Sequence, residues 1–248
     1  MSETTDAFLG GRLTILQPKD GYRAATDPVF LAAACPARAG DSVLDLGCGV
    51  GVAALCLGAR VHGLRLTGVE FQSAYAALAR RNAVANKTDF EVIEADLRTL
   101  PDDFRARSFD HVVFNPPFFP AGSVVAPSGA GRAQAHVEEA TLADFCDIAL
   151  RRLRPGGTLT VIQRAERLGD ILAELSLRTG DIRIRPIVAR TGREAGRVLV
   201  RGTKTSKAPM RLLSPLVVHS GEKHVSDGDD FSVQARAILN DGAGIDWS

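Results

Sequence analysis

The chain has 248 residues, of which 45% are hydrophobic and 24% are charged, and its formal net charge is +1. This length and composition predict a single α/β domain over residues 1–248. No apolar run reaches the roughly 18 residues that a membrane-spanning helix needs, and Met1 to Asp6 is polar, unlike a signal peptide. We therefore predict a cytoplasmic protein with no membrane partner.

Four cysteines are present, at Cys35, Cys48, Cys56 and Cys146. They form no C-x-x-C pair and show no metal-type spacing with the histidines. We expect them to be reduced, mostly buried thiols, and we expect no metal site.

The first 36 residues form an N-terminal segment in front of the predicted core. Residues 1–12 are expected to be loosely held, and Leu13 to Gln17 is predicted to be a short strand. In Thr26-Asp27-Pro28, either of the first two residues can cap a helix whose first turn holds the proline. This pattern predicts a helix that ends near Cys35.

Strand-like and helix-like runs alternate through the predicted core, residues 40–220. The predicted strands are 42–46, 64–70, 90–96, 109–114, 158–162, 182–188 and 197–201, and the predicted helices are 52–61, 72–86, 142–153 and 166–178. Such alternation predicts a mostly parallel sheet covered by helices on both faces, with ligands at the carboxyl ends of the strands. Residues 221–248 are expected to be a peripheral tail.

A glycine-rich turn, Asp45 to Gly51, follows the first core strand. Its glycines permit a tight turn and a close approach of a ligand to the backbone, but the third glycine comes one residue too early for a dinucleotide fingerprint. Glu70 and Asp96 end the next two strands. There, Glu70 can accept hydrogen bonds from two ribose hydroxyls, and Asp96 is in position for an adenine amino group. Three acids in register with this turn favour a ligand site over a ligand-free turn.

The fourth core strand stops at Asn115-Pro116-Pro117, which Phe118 follows directly. Proline fixes its own φ and keeps the preceding residue extended, so the Asn115 side-chain oxygen and the Pro116 carbonyl are held stiffly. Each can accept one N–H from a planar ring that bears an exocyclic amino group, and Phe118 can stack on that ring. We predict that these four residues are the catalytic residues. The alternative is a strand end closed by a Pro-Pro turn above a core phenylalanine.

A long loop, residues 119–139, follows and is rich in Pro, Gly, Ser and Ala. Loops of this length in a compact domain are usually functional or mobile. Arg132 and His136 could close over a bound base, although a solvated loop residue is the simpler interpretation of His136.

These motifs, in this order, resemble those of the class I AdoMet-dependent methyltransferases over roughly residues 40–165. The Asn-Pro-Pro-aromatic sequence resembles the subgroup that methylates amino or amide nitrogen. The resemblance implies a Rossmann-like fold with a seven-stranded, mostly parallel sheet, and S-adenosyl-L-methionine as cofactor. It implies that the glycine-rich turn approaches the methionine part, that Glu70 holds the ribose and that Asp96, with the backbone of Leu97, reads the adenine. The cofactor-binding residues that it implies in this region are Asp45, Gly47, Cys48, Gly49, Gly51, Glu70, Phe71, Asp96, Leu97 and Asn115.

A narrower likeness extends over almost the whole chain. The segment 21–32 and the later segment 197–204 resemble those of the bacterial tRNA adenine-N6 methyltransferases, which modify the adenine beside the anticodon of a valine tRNA. The likeness implies that Arg23, Thr26 and Asp27 border the methionine end of the cofactor, although a plain helix cap explains Thr26 and Asp27 equally well. It also implies a tRNA partner and direct methyl transfer to the adenine nitrogen without a strong base.

Positive charge is concentrated between residues 178 and 211, where ten Lys and Arg stand against two acids. Alternate residues of a strand point to the same face, so these cations could face a phosphate backbone together. The alternative is an ordinary solvated surface with the charges facing different ways. The nucleic-acid-binding residues predicted on this ground are Arg183, Arg185, Arg197, Arg201, Lys204 and Lys207.

Other acceptors remain open, namely a protein glutamine side chain, a guanine amino group in ribosomal RNA, and a DNA adenine. Phe118 stands where the release-factor glutamine methyltransferases carry Tyr, and no N-terminal helical domain of their type is apparent. The alternative from another class is a non-catalytic AdoMet-binding protein. The sequence makes no prediction of the oligomeric state.

Overall fold

The computed structural model describes residues 2–117, 140–221 and 230–248. Its strands are β1 (Glu3–Phe8), β2 (Leu13–Pro18), β3 (Ser42–Leu46), β4 (Arg65–Glu70), β5 (Phe90–Glu94), β6 (Phe109–Phe114), β7 (Leu153–Arg164), β8 (Thr179–Val188), β9 (Ala195–Lys204), β10 (Arg211–Leu212) and β11 (Leu216–Val217). Its helices are α1 (Asp27–Ala34), α2 (Val52–Arg60), α3 (Ser73–Ala85), α4 (Asp102–Arg105), α5 (Leu142–Arg152), α6 (Leu168–Leu175) and α7 (Val233–Leu239). The predictions for Phe118, Arg132, His136 and the rest of the 119–139 loop lie outside the described residues.

The central sheet has the order β10-β8-β9-β7-β6-β3-β4-β5, with β11 also paired to β8. All of its pairings are parallel except those of β9, which runs antiparallel to both β7 and β8. The seven longer strands form the predicted seven-stranded, mostly parallel sheet, and β10 and β11 add two residues each beside β8. The prediction of a Rossmann-like α/β fold is confirmed.

Buried side chains cover both faces of this sheet. One cluster joins the sheet to α1, α2 and α3, and the other joins it to α5 and α6. The central strands β3 and β6 are buried on both faces, as expected for parallel strands between two helical layers. The helix α5 begins with a capping box, in which Thr141 and Asp144 bond each other's backbone N–H. All four cysteines are buried and unpaired.

Residues 2–12 are not loosely held, contrary to the sequence-based expectation for residues 1–12. The strand β1 pairs along its whole length with β2 in an antiparallel hairpin, and Leu9 between them is only 2% exposed. The side chains of β1 alternate between exposed and half-buried positions, so this strand lacks the apolar run that would have revealed it.

The C-terminal residues are not peripheral either. Trp247, the single tryptophan of the chain, is 5% exposed, and its indole N–H donates to the carbonyl of Ala34 at 2.8 Å. The backbone N–H of Ile245 donates to the carbonyl of Ala33 at 2.7 Å. These contacts fasten the end of the chain to α1, which the acidic, glycine-bearing composition of the tail did not indicate.

No helix in the described ranges has the length and apolar character needed to cross a bilayer. The same ranges contain no group of three or more His, Cys, Asp and Glu side chains arranged to hold a metal ion.

Candidate active site

An open cleft lies at the carboxyl ends of β3 and β6. The glycine-rich turn forms one wall, and the beginning of α1, with Pro28 and Leu31, forms another. Tyr22, Asp45 and Asn115 bring polar groups to its lining. The cleft is at the edge of the sheet where the sequence places the ligand.

The glycine-rich turn needs its glycines for two different reasons. Gly47, Gly49 and Gly51 all have positive φ, at 65°, 55° and 88°. A Cβ on Gly51 would lie 2.9 Å from the ring of Phe90, so this glycine is required for packing as well. A Cβ on Gly49 would meet nothing within 4 Å, because this glycine borders the open cleft. Gly49 is therefore the position at which a ligand can approach the backbone.

Asp45 is a buried acid on the floor of the cleft. It is 3% exposed, and its Oδ2 has no hydrogen-bond partner among the described residues. Burial raises the pKa of Asp45 to about 7, and the negative charge of Glu70 adds to the rise, while a hydrogen bond from the Ala54 backbone opposes it. A buried, unpartnered carboxyl group beside a cleft favours a cationic ligand.

Glu70 ties the end of β4 to the glycine-rich turn. Its Oε2 accepts from the Gly49 N–H and its Oε1 accepts from the Gln72 N–H, both at 2.9 Å. Burial raises the pKa of Glu70, and these backbone bonds partly offset the rise. Because a carboxylate has about four acceptor positions, it keeps capacity for a ribose hydroxyl. Phe71 follows immediately and is 45% exposed.

The sequence suggested that Asp96 is in position for an adenine amino group, but its carboxylate is engaged within its own turn. It caps the short helix that starts at Leu97 by accepting from the Arg98 N–H at 2.9 Å, and it pairs with the Arg98 guanidinium at 2.7 Å. The bond to Arg98 lowers the pKa of Asp96 despite its partial burial. The side chain of Leu97 is buried beneath this turn. Both Asp96 oxygens thus have a local role that the strand pattern could not reveal.

Asn115 projects its side-chain amide into the cleft. Its Nδ2 donates to the Tyr22 hydroxyl oxygen at 3.4 Å, whereas its Oδ1 is buried and has no partner in the described part of the chain. The Pro116 carbonyl accepts from Gln163 Nε2 at 3.3 Å, so one of its two acceptor positions is already occupied. No local pattern distinguishes Gln163, a polar residue next to the end of β7.

Tyr22 is a second residue that the sequence analysis did not assign to the site, although it stands next to Arg23 in the resembling segment. Tyr75 Oη donates to its backbone carbonyl at 3.2 Å, and its ring is half exposed. Burial of the hydroxyl raises the pKa of Tyr22 to about 12, with contributions from Asp27 and Asp45. The hydroxyl is therefore neutral near pH 7 and serves as a hydrogen-bonding group.

Arg23 does not border the cleft. Its guanidinium turns toward the N-terminal hairpin, where it pairs with Asp6 at 2.6 Å and donates to the Pro18 carbonyl at 3.0 Å. Thr26 occupies the N-cap position of α1 without a side-chain cap bond. Asp27 accepts from Arg197 Nε at 2.8 Å, so two residues predicted for different ligands instead bind each other.

The predicted RNA-binding arginines share one face of the sheet, but that face is covered. The register places Arg183 opposite Arg201, and Ile187 opposite Arg197, on neighbouring strands. Arg185 and Arg201 are each only 8% exposed. The C-terminal residues lie over this face, which explains why a strongly basic segment does not produce a basic surface here.

Three of these cations donate hydrogen bonds to backbone carbonyls within the protein. Arg183 donates to the Trp247 carbonyl at 2.5 Å, and Arg185 donates to the Asp246 carbonyl at 2.6 Å. Lys204 Nζ donates at 2.6 Å to two carbonyls at the end of α5. The prediction that these side chains bind RNA is wrong for Arg185 and Arg201, which are buried. Lys207 is exposed and stays a prediction.

Comparison with known proteins identifies a matching family and several relatives of this chain. The chain matches the methyltransferase small domain family over residues 26–177. A protein of Aeromonas hydrophila named tRNA1(Val) (adenine(37)-N6)-methyltransferase is 32% identical over 214 residues, which cover 83% of this chain and 86% of that protein. A protein of the same name from Dickeya chrysanthemi is 31% identical and covers 79% and 78%, respectively.

Solved structures show the same architecture. A predicted O-methyltransferase from Agrobacterium tumefaciens has a TM-score of 0.70 at 26% identity, covering 88% of this chain and 98% of that one. A 16S rRNA N2 methyltransferase from T. thermophilus, crystallised with AdoMet and guanosine, has a TM-score of 0.55 at 20% identity, covering 82% and 50%. The second likeness shows the fold alone.

Proposed function

Since this chain belongs to the methyltransferase small domain family, within the class I methyltransferases, we propose that it transfers the methyl group of S-adenosyl-L-methionine to N6 of an adenine in tRNA. The observation that carries the proposal is the Oδ1 of Asn115 at the cleft, which is buried and has no hydrogen-bond partner among the described residues. A buried acceptor without a partner is costly unless a ligand supplies the donor.

The residues of the cleft fit this cofactor. S-adenosyl-L-methionine supplies an electrophilic methyl group on a positively charged sulfur when it is bound. The carboxyl of Asp45, whose Oδ2 has no partner in residues 2–117, 140–221 and 230–248, suits the positive charges of the methionine part, and the open space at Gly49 allows close backbone approach. Glu70 retains acceptor capacity for the ribose, and the exposed ring of Phe71 is a stacking surface for the adenine.

Among the described residues, the side of the site that faces the substrate base offers two hydrogen-bond acceptors and no strong base. Asn115 Oδ1 accepts one hydrogen of the N6 amino group, and the second acceptor position of the Pro116 carbonyl accepts the other. These bonds direct the nitrogen lone pair out of the ring plane toward the methyl group. The Tyr22 hydroxyl, whose pKa is raised to about 12, stays protonated and holds the Asn115 amide. The S–CH3 bond of the cofactor would break as the new N–C bond forms, leaving a neutral thioether, and the methylated amino group would then lose one proton to water.

The acceptor atom is nitrogen rather than oxygen in this proposal, although the A. tumefaciens structure carries the name of an O-methyltransferase. A hydroxyl group can donate only one hydrogen, whereas Asn115 and Pro116 provide two acceptor atoms. The relatives named for adenine(37)-N6 methylation match most of this chain, which supports an amino group on adenine and a tRNA partner.

The experiment is a transfer assay with methyl-labelled S-adenosyl-L-methionine and four acceptors in parallel, namely unmodified tRNA, ribosomal RNA, DNA and cell protein. Asn115→Ala is the test variant, and Asn240→Ala, at the end of α7 and away from the cleft, is its matched control. We expect N6-methyladenosine in tRNA from the wild type and the control, and none from Asn115→Ala. Label confined to protein or to another RNA would overturn the acceptor, and no label despite cofactor binding would overturn the enzyme assignment.

A further inference from the structure

Gln163 bridges two backbone groups next to the catalytic segment. It lies near the end of β7 and is 1% exposed. Its Nε2 donates to the Pro116 carbonyl at 3.3 Å, and its Oε1 accepts from the Arg164 N–H at 2.8 Å. Both ends of the side-chain amide are therefore engaged by main chain.

The orientation of this amide follows from its partners. The backbone N–H of Arg164 can only donate, so it requires the oxygen of the Gln163 amide on its side. The amide nitrogen must then face the Pro116 carbonyl, which can only accept. A reversed amide would place two acceptors together at the Pro116 carbonyl and two donors together at the Arg164 N–H.

Gln163 lies just beyond the point at which the backbone pairing of β6 with β7 ends. The last paired residues of β6 and β7 are Phe114 and Val161, and Pro116 and Gln163 each lie two residues further along. Pro116 and Pro117 have no N–H with which to continue the ladder. Proline fixes φ of Pro116, but the direction of its carbonyl depends on ψ, which the following proline only restricts. The Gln163 side chain supplies the remaining constraint.

We propose that Gln163 is a positioning residue for methyl transfer. It holds the Pro116 carbonyl in the orientation in which that carbonyl accepts a hydrogen bond from the amino group of the substrate. The inference rests on the proposed function, because it concerns the same acceptor site. It also explains why a polar side chain is kept in a fully buried position at the end of an apolar strand. Gln163 acts through Pro116, and Asn115 remains the catalytic residue beside the cleft.

Two variants separate positioning from simple structural support. Gln163→Leu removes the donor to Pro116. Gln163→Glu keeps an oxygen for the Arg164 N–H and donates to Pro116 only when its carboxyl is protonated. Thr160→Val on the same strand is the matched control, since Thr160 is fully buried and its hydroxyl has no partner in the described ranges. Thermal melting of each variant reports whether it folds.

The measurement is kcat and KM for the RNA acceptor, with cofactor affinity determined separately. For Gln163→Leu we expect kcat to fall about tenfold, the size of one lost hydrogen bond, with KM and cofactor affinity almost unchanged. For Gln163→Glu we expect the ratio of its kcat to the wild-type kcat to rise as pH falls from about 8.5 to about 6, because a buried carboxyl takes up a proton in this range. Thr160→Val is expected to retain wild-type kcat.

Wild-type kcat in Gln163→Leu, or a ratio for Gln163→Glu that does not change with pH, would overturn the positioning role while leaving the proposed function intact. A loss that appears equally in Thr160→Val would overturn it as well, since that result reflects general damage to β7. If the wild type labels no acceptor, the proposed function fails and the positioning role fails with it. The two failures are therefore distinguishable.

Discussion

The guanidinium carbon of Arg201 lies 4.7 Å from the ring centroid of Trp247, a cation–π contact that fastens the C-terminus to the sheet. Burial lowers the pKa of Arg201 to about 10, and the nearby charge of Arg183 adds to the effect. An arginine from the most basic stretch of the chain thus packs inside the protein. Its partner, the last but one residue, is part of the core.

Replacing Trp247 by alanine is expected to lower the free energy of unfolding by about 3–5 kcal/mol, as for other buried tryptophans. The change leaves a cavity beneath α1 and removes the bond to the Ala34 carbonyl. Urea unfolding followed by far-UV circular dichroism measures the effect. Val233→Ala is a suitable control, because Val233 is 88% exposed. A Trp247→Ala protein as stable as wild type would contradict the packing described here.

The buried and exposed cations are expected to differ in how they affect RNA binding. Lys207→Gln should reduce the slope of log K against log salt for tRNA binding by about 0.7–0.9, the loss of one phosphate contact. Arg185→Gln should leave that slope unchanged and lower stability, because its guanidinium bonds the Ser214 and Asp246 carbonyls. Filter binding over a salt series separates the two. The reverse pattern would show that the covered face opens to bind RNA.

Asp45 predicts a pH dependence of cofactor binding. Its pKa is raised to about 7 in the protein without ligand, chiefly by burial. A cationic ligand beside it favours the ionised carboxylate and lowers that pKa, so binding near pH 6.5 should release a proton. Calorimetry of S-adenosyl-L-methionine binding in buffers of different ionisation enthalpy measures the release. An observed enthalpy that does not depend on the buffer would contradict this role for Asp45.

The same group makes the ligand-free protein less stable as pH rises. Because the folded pKa of about 7 exceeds the ordinary value of 3.8, the native state holds the proton more firmly than the unfolded state between these two pH values. Stability is therefore lost as pH rises through this window, and Asp45→Asn should abolish the loss. The expected gain of the variant at pH 8 is on the order of 1–4 kcal/mol in urea unfolding. A variant that is equally or less stable than wild type at pH 8 would contradict the assignment.

Tyr22 is expected to contribute through its hydroxyl. Tyr22→Phe removes the acceptor of the Asn115 amide N–H, which lets that amide rotate in the cleft. We expect kcat to fall several-fold, in keeping with about 0.5–1.5 kcal/mol for one hydrogen bond, while cofactor affinity is retained. Single-turnover kinetics with saturating cofactor measures the step. An unchanged rate would show that Asn115 is held without this contact.

The sequence was a good guide to the regular part of the fold. The alternation of strands and helices predicted all seven long strands, because apolar strands between amphipathic helices carry a strong local signal. It missed β1, whose side chains are mostly polar, and α7, which lies in a stretch of acidic and glycine residues. The strand β1 is held by its pairing with the neighbouring β2, and α7 packs against the distant α1. Neither contact leaves an apolar pattern in the element's own sequence.

The sequence likewise predicted some residues of the candidate site and missed the roles of others. Asn115, Asp45 and the glycine-rich turn were predicted correctly as neighbours, since parallel strands bring their carboxyl ends together. Gln163 and Arg197 acquire their roles from side-chain contacts across strands, to Pro116 and Asp27 respectively. The charge count could not show that Arg185 and Arg201 are covered, because the residues that cover them, Asp246 and Trp247, lie far along the chain at the C-terminus.

The most direct test of the account is nucleoside analysis by mass spectrometry of unmodified valine tRNA after incubation with the protein and S-adenosyl-L-methionine. We predict N6-methyladenosine in that tRNA from the wild-type protein, at adenine 37 as in the names of the relatives, and its absence with Asn115→Ala. Asn115→Ala should still bind the cofactor, since the turn and Asp45 are unchanged. Methyladenosine formed equally by the Asn115→Ala protein, or a valine tRNA that stays unmodified by the wild type, would contradict the central claim.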